Sequence, residues 1–569
     1  MRMVISIKST IRMGRFLVQM SAWLILYASS CVHQETAWIE TTQEDFADGQ
    51  LDDGGNLYAS WKGDIQVVNS WDLNDDGYLD IVFSNYGSDS TYNIHSDIYW
   101  GSKDGFHLQN RTELLTSACI AYGLADLNND GFLDIIFGSW LNKDREREID
   151  AQNKVWFFDA SSLIYWGSDD GFKEDRVTEI PTYGATGISV ADLNNDGYLD
   201  IIVASAYYRD ESQKWDGGAV TIYWGNKEGY RQEKTSRLAL FGGMLAFPAD
   251  LNRDGFLDLI ATNLDVESRS VIYYGSPDGF SDENTESLET SLVRSVAVAD
   301  LNADSFLDIV FANGADVAGY KTNSAIYWGS DGAYSERRRT LLPTMFCMQP
   351  AVADLNGDGY LDIVFANCYD GERYDIDSYI YYGSEEGYTV DHRETIPTCG
   401  AHSVAVADYD ANGELDLVFS NRYDPEGKTV DYFSMLYYQR EGTLVLSDIQ
   451  FPTHDGHHNM NRDLGNIYDR EYRDAYTSSV FDAKVDVRWE RVEWDADIQE
   501  GCSLQVFIRT ADRDQEFGSW VEARHGHVLD EPLVSRYCQY RVVFHYDGKG
   551  RPRLNEIRVY YTETSGTKG

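Results

Sequence analysis

Short apolar runs separated by polar turns fill most of this chain. Around Asp192 the pattern is Gly187-Ile188-Ser189-Val190-Ala191, a polar loop, Leu199-Asp200-Ile201-Ile202-Val203 and, after a longer polar stretch, Val220-Thr221-Ile222-Tyr223-Trp224-Gly225. Runs of this length, rich in β-branched and aromatic residues and bounded by Gly, Asp and Asn, predict strands. A charged turn then leads into a weaker fourth strand. No stretch has the length and 3.6-residue period of an amphipathic helix, so the pattern predicts an all-β protein.

The unit recurs seven times. Its first loop reads Asp-x-Asn-x-Asp-Gly-x-x-Asp and begins at Asp72, Asp126, Asp192, Asp250, Asp300, Asp354 and Asp408, at intervals of 54, 66, 58, 50, 54 and 54 residues. Four short strands at this period predict a seven-bladed β-propeller. A β-solenoid has a shorter period, and a string of sandwiches needs about twice the length per unit. The third strand repeats as clearly: Ile98-Tyr99-Trp100-Gly101, Ile164-Tyr165-Trp166-Gly167, Ile222-Tyr223-Trp224-Gly225, Ile272-Tyr273-Tyr274-Gly275, Ile326-Tyr327-Trp328-Gly329 and Ile380-Tyr381-Tyr382-Gly383, decaying to Leu436-Tyr437-Tyr438-Gln439. An aromatic at the same place in every unit is expected to pack blade against blade rather than form a sugar platform.

The loops offer hard oxygen ligands on alternating residues, the donor type that calcium prefers. The candidate ligands are Asp72, Asn74, Asp76 and Asp80; Asp126, Asn128, Asp130 and Asp134; Asp192, Asn194, Asp196 and Asp200; Asp250, Asn252, Asp254 and Asp258; Asp300, Asn302, Asp304 and Asp308; Asp354, Asn356, Asp358 and Asp362; and Asp408, Asp410, Asn412 and Asp416. Glycine at the sixth position permits a sharp turn. The loop starts like an EF-hand but lacks its bidentate Glu at position twelve, where Phe83, Phe137 or Val203 stands, and its flanks are strands. Up to seven structural Ca²⁺ ions are therefore expected in β-hairpin loops. The fifth copy has Ser305 in place of the turn glycine, and the seventh exchanges its Asn and one Asp. In loops and following strands, residues 60–445 resemble the FG-GAP (VCBS-type) repeats of integrin α-subunit propellers and of secreted bacterial proteins. That resemblance implies the fold and calcium; such propellers serve as adhesins, sugar-binding modules and occasionally polysaccharide lyases, so fold alone leaves function open.

The 569 residues include 94 acidic and 47 basic side chains, a formal net charge of −47. Bound cations would offset part of it. Such a surface is a poor partner for nucleic acid or anionic lipid. Residues 1–31 read as an export signal: Lys8, Arg12 and Arg15 precede the mostly apolar stretch 16–27, and Ala28-Ser29-Ser30 leads to Cys31. The segment resembles a bacterial lipoprotein signal, which implies lipidation of Cys31 and an envelope-anchored chain, with simple secretion or an uncleaved anchor as the alternatives. Export makes disulfides possible; Cys502 and Cys538 are candidates to pair, Cys347, Cys368 and Cys399 fall near one face of blades six and seven, and Cys119 reads as a buried free thiol.

The expected organisation is a signal (1–31), an N-terminal segment (32–62), the propeller (63–448), a linker (449–475) and a jelly-roll-like β-sandwich (476–563). The N-terminal segment either closes the ring or adds a strand to the sandwich. The linker, with His454, Asp455, His457 and His458, reads as a polar connection or a second metal site.

Variable loops on one face of a propeller are where binding is expected. The loop after each second strand varies most, and it lies on the face opposite the acidic loops. These loops carry Trp140, Trp156, Tyr207, Tyr208, Arg209, Trp215, Tyr369, Arg373, Tyr374, Arg422 and Tyr423. Aromatics beside Arg suit an anionic polysaccharide: rings stack on sugar faces, and guanidinium forks take carboxylate or sulfate. Six residues before each loop stand Gln66, Ile120, Thr186, Met244, Arg294, Met348 and His402, which should ring the channel mouth. The favoured reading is an exported binding or adhesion module for extracellular glycan or protein. The alternatives are a polysaccharide lyase acting on uronic-acid glycans, with His402 as base and Arg294 as carboxylate partner, and a structural envelope scaffold.

Overall fold

A computed structural model describes residues 36–564 apart from 47–48, 52–56, 60–62, 68–71, 88–90, 142–159, 195, 207, 210–214, 217, 241, 266–268, 428–431, 454–472, 500, 514–515 and 547–551. Cys31 and the histidine-bearing linker lie outside the described residues. Among those described, no helix is long and apolar enough to cross a membrane.

Seven antiparallel sheets follow one another along the chain, each made of strands paired in sequence order, with a separate small hairpin inserted in the third. Blade four is typical: Gly243–Ala249, Asp258–Asn263, Arg269–Tyr273 and Thr285–Glu289 pair in sequence order. Blade one has three described strands, Ile81–Phe83, Asn93–Tyr99 and Arg111–Ser117. All six residues of the second strand are buried in blades two to seven. Neighbouring blades cover both of its faces, which is why these strands are almost continuously apolar.

Seven separate apolar cores lie between neighbouring blades, including blade seven on blade one. The repeated third-strand tyrosine is buried in each. Its hydroxyl donates to a carbonyl on the last strand of the preceding blade: Tyr165 to Leu115 at 2.7 Å, Tyr327 to Glu289 at 2.7 Å and Tyr381 to Pro343 at 2.6 Å. Tyr223, Tyr273 and Tyr437 make the same bond to Pro181, Ala239 and Pro397. Tyr99 closes the ring on Pro452 at 3.3 Å. Each tyrosine thus fills an interblade core and satisfies its one polar atom there. The next aromatic braces its own blade, as Trp328 Nε1 does by donating to Thr340 Oγ1 at 3.0 Å.

The N-terminal segment joins the C-terminal sheet. Thr36–Glu40 pairs with Arg553–Glu563, and Gln50–Leu51 pairs with Arg473–Thr477. Leu57–Ala59 and Ile65–Val67 extend the far edge. The result is a ten-stranded sheet around one core containing Phe46, Tyr476, Trp489 and Tyr540. Its strands reach Val67, beyond the expected boundary at 62, and take up Gln66 by pairing it with Arg553. Blade seven runs to Thr453 and the C-terminal sheet resumes at Arg473, so the connection is shorter than residues 449–475.

All six cysteines in the described region are free thiols, and Cys119 is buried. Cys502 precedes Ser503, which pairs with His545, whereas Cys538 faces Thr510 at the other end of that ladder. Eight residues of strand, roughly 25 Å, separate them, far beyond disulfide reach.

Candidate functional site

The acidic loops share one geometry. In blade four the Asp254 amide donates to Asp250 Oδ1 at 3.1 Å and the Gly255 amide to Asp250 Oδ2 at 2.9 Å. The last aspartate has a second task. Asp258 Oδ2 accepts from the Leu251 amide at 2.9 Å, and Oδ1 accepts from the Gly275 amide at 2.8 Å, tying the loop to the end of the third strand. The same pair of bonds recurs in other blades, for example on Asp308 and Asp362. The fourth position is left-handed as well as the sixth: Asp75, Asn129, Arg253, Ala303 and Ala411 all have φ between 53° and 60°. Only glycine, and Asn or Asp less easily, adopts that region cheaply, so Gly357 and Asn129 were the sequence signal for this second turn position.

Burial raises the carboxyls at position nine, with neighbouring aspartates adding to the effect. Asp200, Asp258, Asp308, Asp362 and Asp416 are pushed up to about 7, and Asp134 to about 8. Buried carboxylates that repel one another lack a positive charge. The donor set, three carboxylates and an amide oxygen per loop, fits a hard divalent cation. In the seventh loop ligand oxygens of Asp408, Asp410 and Asp416 lie within 4.8 Å of one another.

Two loops differ. Ser305 holds the left-handed sixth position at φ 71°, and Ala303 is left-handed at 59°. The fifth loop is thus the one described loop with non-glycine residues at both positions. Ser305→Gly should raise stability by about 1 kcal/mol and tighten cation binding in that loop. Thermal melts and calcium titrations of the variant check this; weaker binding would show that the hydroxyl is needed. In the seventh loop Arg440 donates to Asp410 and supplies part of the missing charge. The signal was available: Arg440 stands where the other blades have Ser or Asn after the third strand. The first loop is tied to the C-terminal sheet, because Arg553 donates to Asp75 Oδ1 at 2.6 Å.

The opposite face is built at the starts of the first strands. A register irregularity occurs there in blades two to seven, between Cys119 and Ala121, Ala185 and Gly187, Gly243 and Ala246, Val293 and Ser295, Cys347 and Gln349, and Ala401 and Ser403. Ile120, Thr186, Met244, Arg294, Met348 and His402 occupy those bulges. A bulge turns one residue out of the ladder and re-aims it. The residue before the first strand is left-handed at Ala118, Leu292 and Phe346.

Arg294 and Arg422 come together here from blades five and seven. The Arg294 guanidinium lies 5.4 Å from the centroid of Phe346. Arg422 lies 5.4 Å from Tyr86 of blade one and 5.2 Å from Tyr423. Tyr423 packs on Tyr374 at 4.1 Å, Tyr374 stacks on Tyr369 at 4.5 Å, and Tyr369 meets Tyr320 at 5.1 Å. Trp140 tilts against Tyr86 at 5.6 Å. Tyr86, Tyr320 and Phe346 were not singled out from the sequence, although Tyr86 follows Asn85 as Arg422 follows Asn421.

Other expected residues fall elsewhere. Arg373 is exposed and faces Asp375 at 3.6 Å. Arg209 and Trp215 pair in a small hairpin above blade three; their side chains, with Trp156, Tyr207 and Tyr208, lie outside what is described. His402 packs edge-on to Tyr423 at 6.0 Å but is only 2 % exposed. A general base must reach the proton it removes, so this burial speaks against His402 as the base of a lyase.

Residues 72–137, 250–311 and 315–365 match the family model of the FG-GAP-like repeat, and residues 184–223 match that of the FG-GAP repeat. Mouse integrin alpha-8 is 30 % identical over 178 residues, covering 28 % of this chain and 16 % of that protein. Mouse integrin alpha-3 is 32 % identical over 90 residues, 15 % of this chain and 8 % of its own length, and human integrin alpha-6 is 29 % identical over 164 residues, 28 % and 13 %. The chain therefore spans less than a fifth of the length of these relatives. The matched segments carry the acidic loops and the strands that follow them, so the chain contains FG-GAP repeats within a seven-bladed β-propeller and is similar in them to integrin alpha chains.

Proposed function

We propose that the protein is an exported, calcium-stabilised binding module that takes an extracellular ligand at the channel mouth opposite its acidic loops. The observation that carries this reading is the convergence of Arg294, Arg422, Tyr423 and Tyr86 from three blades on that face. Arginine and tyrosine supply rigid, adaptable contact area at recognition sites. Kinship with integrin alpha chains supports an adhesion-type role, and the signal-like residues 1–31 support export, with Cys31 as the point of lipid attachment.

In this reading calcium is held by positions one, three, five and nine of each loop. It supplies charge that the crowded carboxylates lack. The chain's own contribution is the amide-bonded turn that keeps those oxygens together.

An array of extracellular glycans and proteins tests the proposal, read alongside the ultraviolet absorbance of unsaturated uronates. Binding without new absorbance is the expected result. New absorbance would make the protein a lyase, and neither signal would favour an envelope scaffold. Arg422→Ala and Tyr423→Ala should each weaken binding at least tenfold while changing thermal stability little, because both lie outside the blade cores. Unchanged affinity in both variants would place the site elsewhere.

A further inference from the structure

Building on the proposed ligand face, we propose that Arg294 and Arg422 form a receptor for a single carboxylate, presented by the acidic end of a short glycan. Arg294 stands on the bulge of its strand, where protein crowds it while part of its surface still meets solvent. It belongs to neither of the apolar cores that flank blade five. Its Nε is sealed from solvent without a hydrogen-bond partner among the described residues. Among the described residues, the charged and titratable groups that act on it are Arg422, Cys368 and Tyr423.

An arginine enclosed beside a second arginine is costly in the ligand-free protein. Burial, and then Arg422, lowers the Arg294 guanidinium to about 10, so it remains a cation at neutral pH. Guanidinium groups brought close to one another suit an oxyanion, which they bind in bidentate fashion.

The surroundings narrow the ligand. Phe346, Tyr86 and Tyr423 wall the arginines with ring faces and edges, and the line through Tyr374 and Tyr369 ends at Tyr320, which is 42 % exposed. A sugar has apolar faces for such rings and a uronate carboxylate for the guanidinium pair. The net charge of −47 repels long polyanions, so a short chain with few charges fits better than a heavily sulfated polymer.

The test is calorimetric binding of trigalacturonate to the calcium-loaded protein, beside its neutral methyl ester, a sulfated oligosaccharide and an acidic peptide of similar length. Trigalacturonate should bind at least tenfold more tightly than the ester. Arg294→Met should abolish that preference and raise the melting temperature of the ligand-free protein, because it removes an enclosed charge; a structural role for Arg294 would lower it. Equal binding of acid and ester, tighter binding of the sulfated probe or the peptide, or a preference that survives Arg294→Met overturns the carboxylate receptor. If another ligand then binds and is lost with Tyr423→Ala, the ligand face stands without it. If nothing binds in these arms or on the array, both readings fail.

Discussion

Stripping calcium from the protein should lower its melting temperature by ten degrees or more, and restoring calcium should recover it. Seven loops each gather three carboxylates, and ions that bind only the native state stabilise it by mass action, about 2.7 kcal/mol per site at a hundredfold excess over Kd. The metal-free protein should also depend on pH in a defined direction. The buried loop carboxyls of Asp200, Asp258 and Asp308 are raised to about 7 in the folded state, against an ordinary value near 4. Between those values the native chain holds more protons than the unfolded one. Their stabilising contribution is complete below about pH 4 and is lost as pH rises through about 7. Metal-free protein should therefore melt higher at pH 5.5 than at pH 7.5, and saturating calcium should remove most of that difference. Melts of exhaustively demetallated protein at both values decide it; an unchanged midpoint on demetallation would remove calcium from the folding account.

The second large effect is expected from one methyl group. Gly329 ends the third strand of blade five, where its amide reaches Asp308. A Cβ there would sit well inside contact distance of the Leu307 carbonyl oxygen and 2.9 Å from Phe306 Cβ. Both must shift to admit it. Gly329→Ala should cost about 3 kcal/mol or more. Gly332, three residues on, has only the Ser330 hydroxyl near a built Cβ, at 4.0 Å, so Gly332→Ala should be close to neutral. Chemical denaturation of the pair measures the contrast; similar stability of the two variants would show that the strand end is not a close approach.

These two predictions mark what was legible in the sequence. Repetition exposed the blades, and the recurrence of Tyr in every third strand pointed to packing because a scaffold needs the same atoms in every unit. The outcome is specific: the tyrosine hydroxyl reaches the previous blade, and the glycine leaves room for the loop. The position six residues before each loop could be counted, and it falls on the bulge in six blades. What depended on long-range register could not be read. Nothing local in Thr36–Glu40 says that it pairs with Arg553–Glu563, or that Cys538 faces Thr510 rather than Cys502. His402 resembled a catalytic residue because its strand position was visible and its burial was not. Phe346 and Tyr86 were missed because their importance comes from arginines on other blades.

The division of labour between the two faces is tested most directly by hydrogen exchange on the calcium-loaded protein, with and without the tightest ligand from the array. Slowed exchange around Tyr86, 369–374 and 422–427, with the acidic loops unchanged, is the expected result. Protection confined to the acidic loops or to the C-terminal sheet would contradict it.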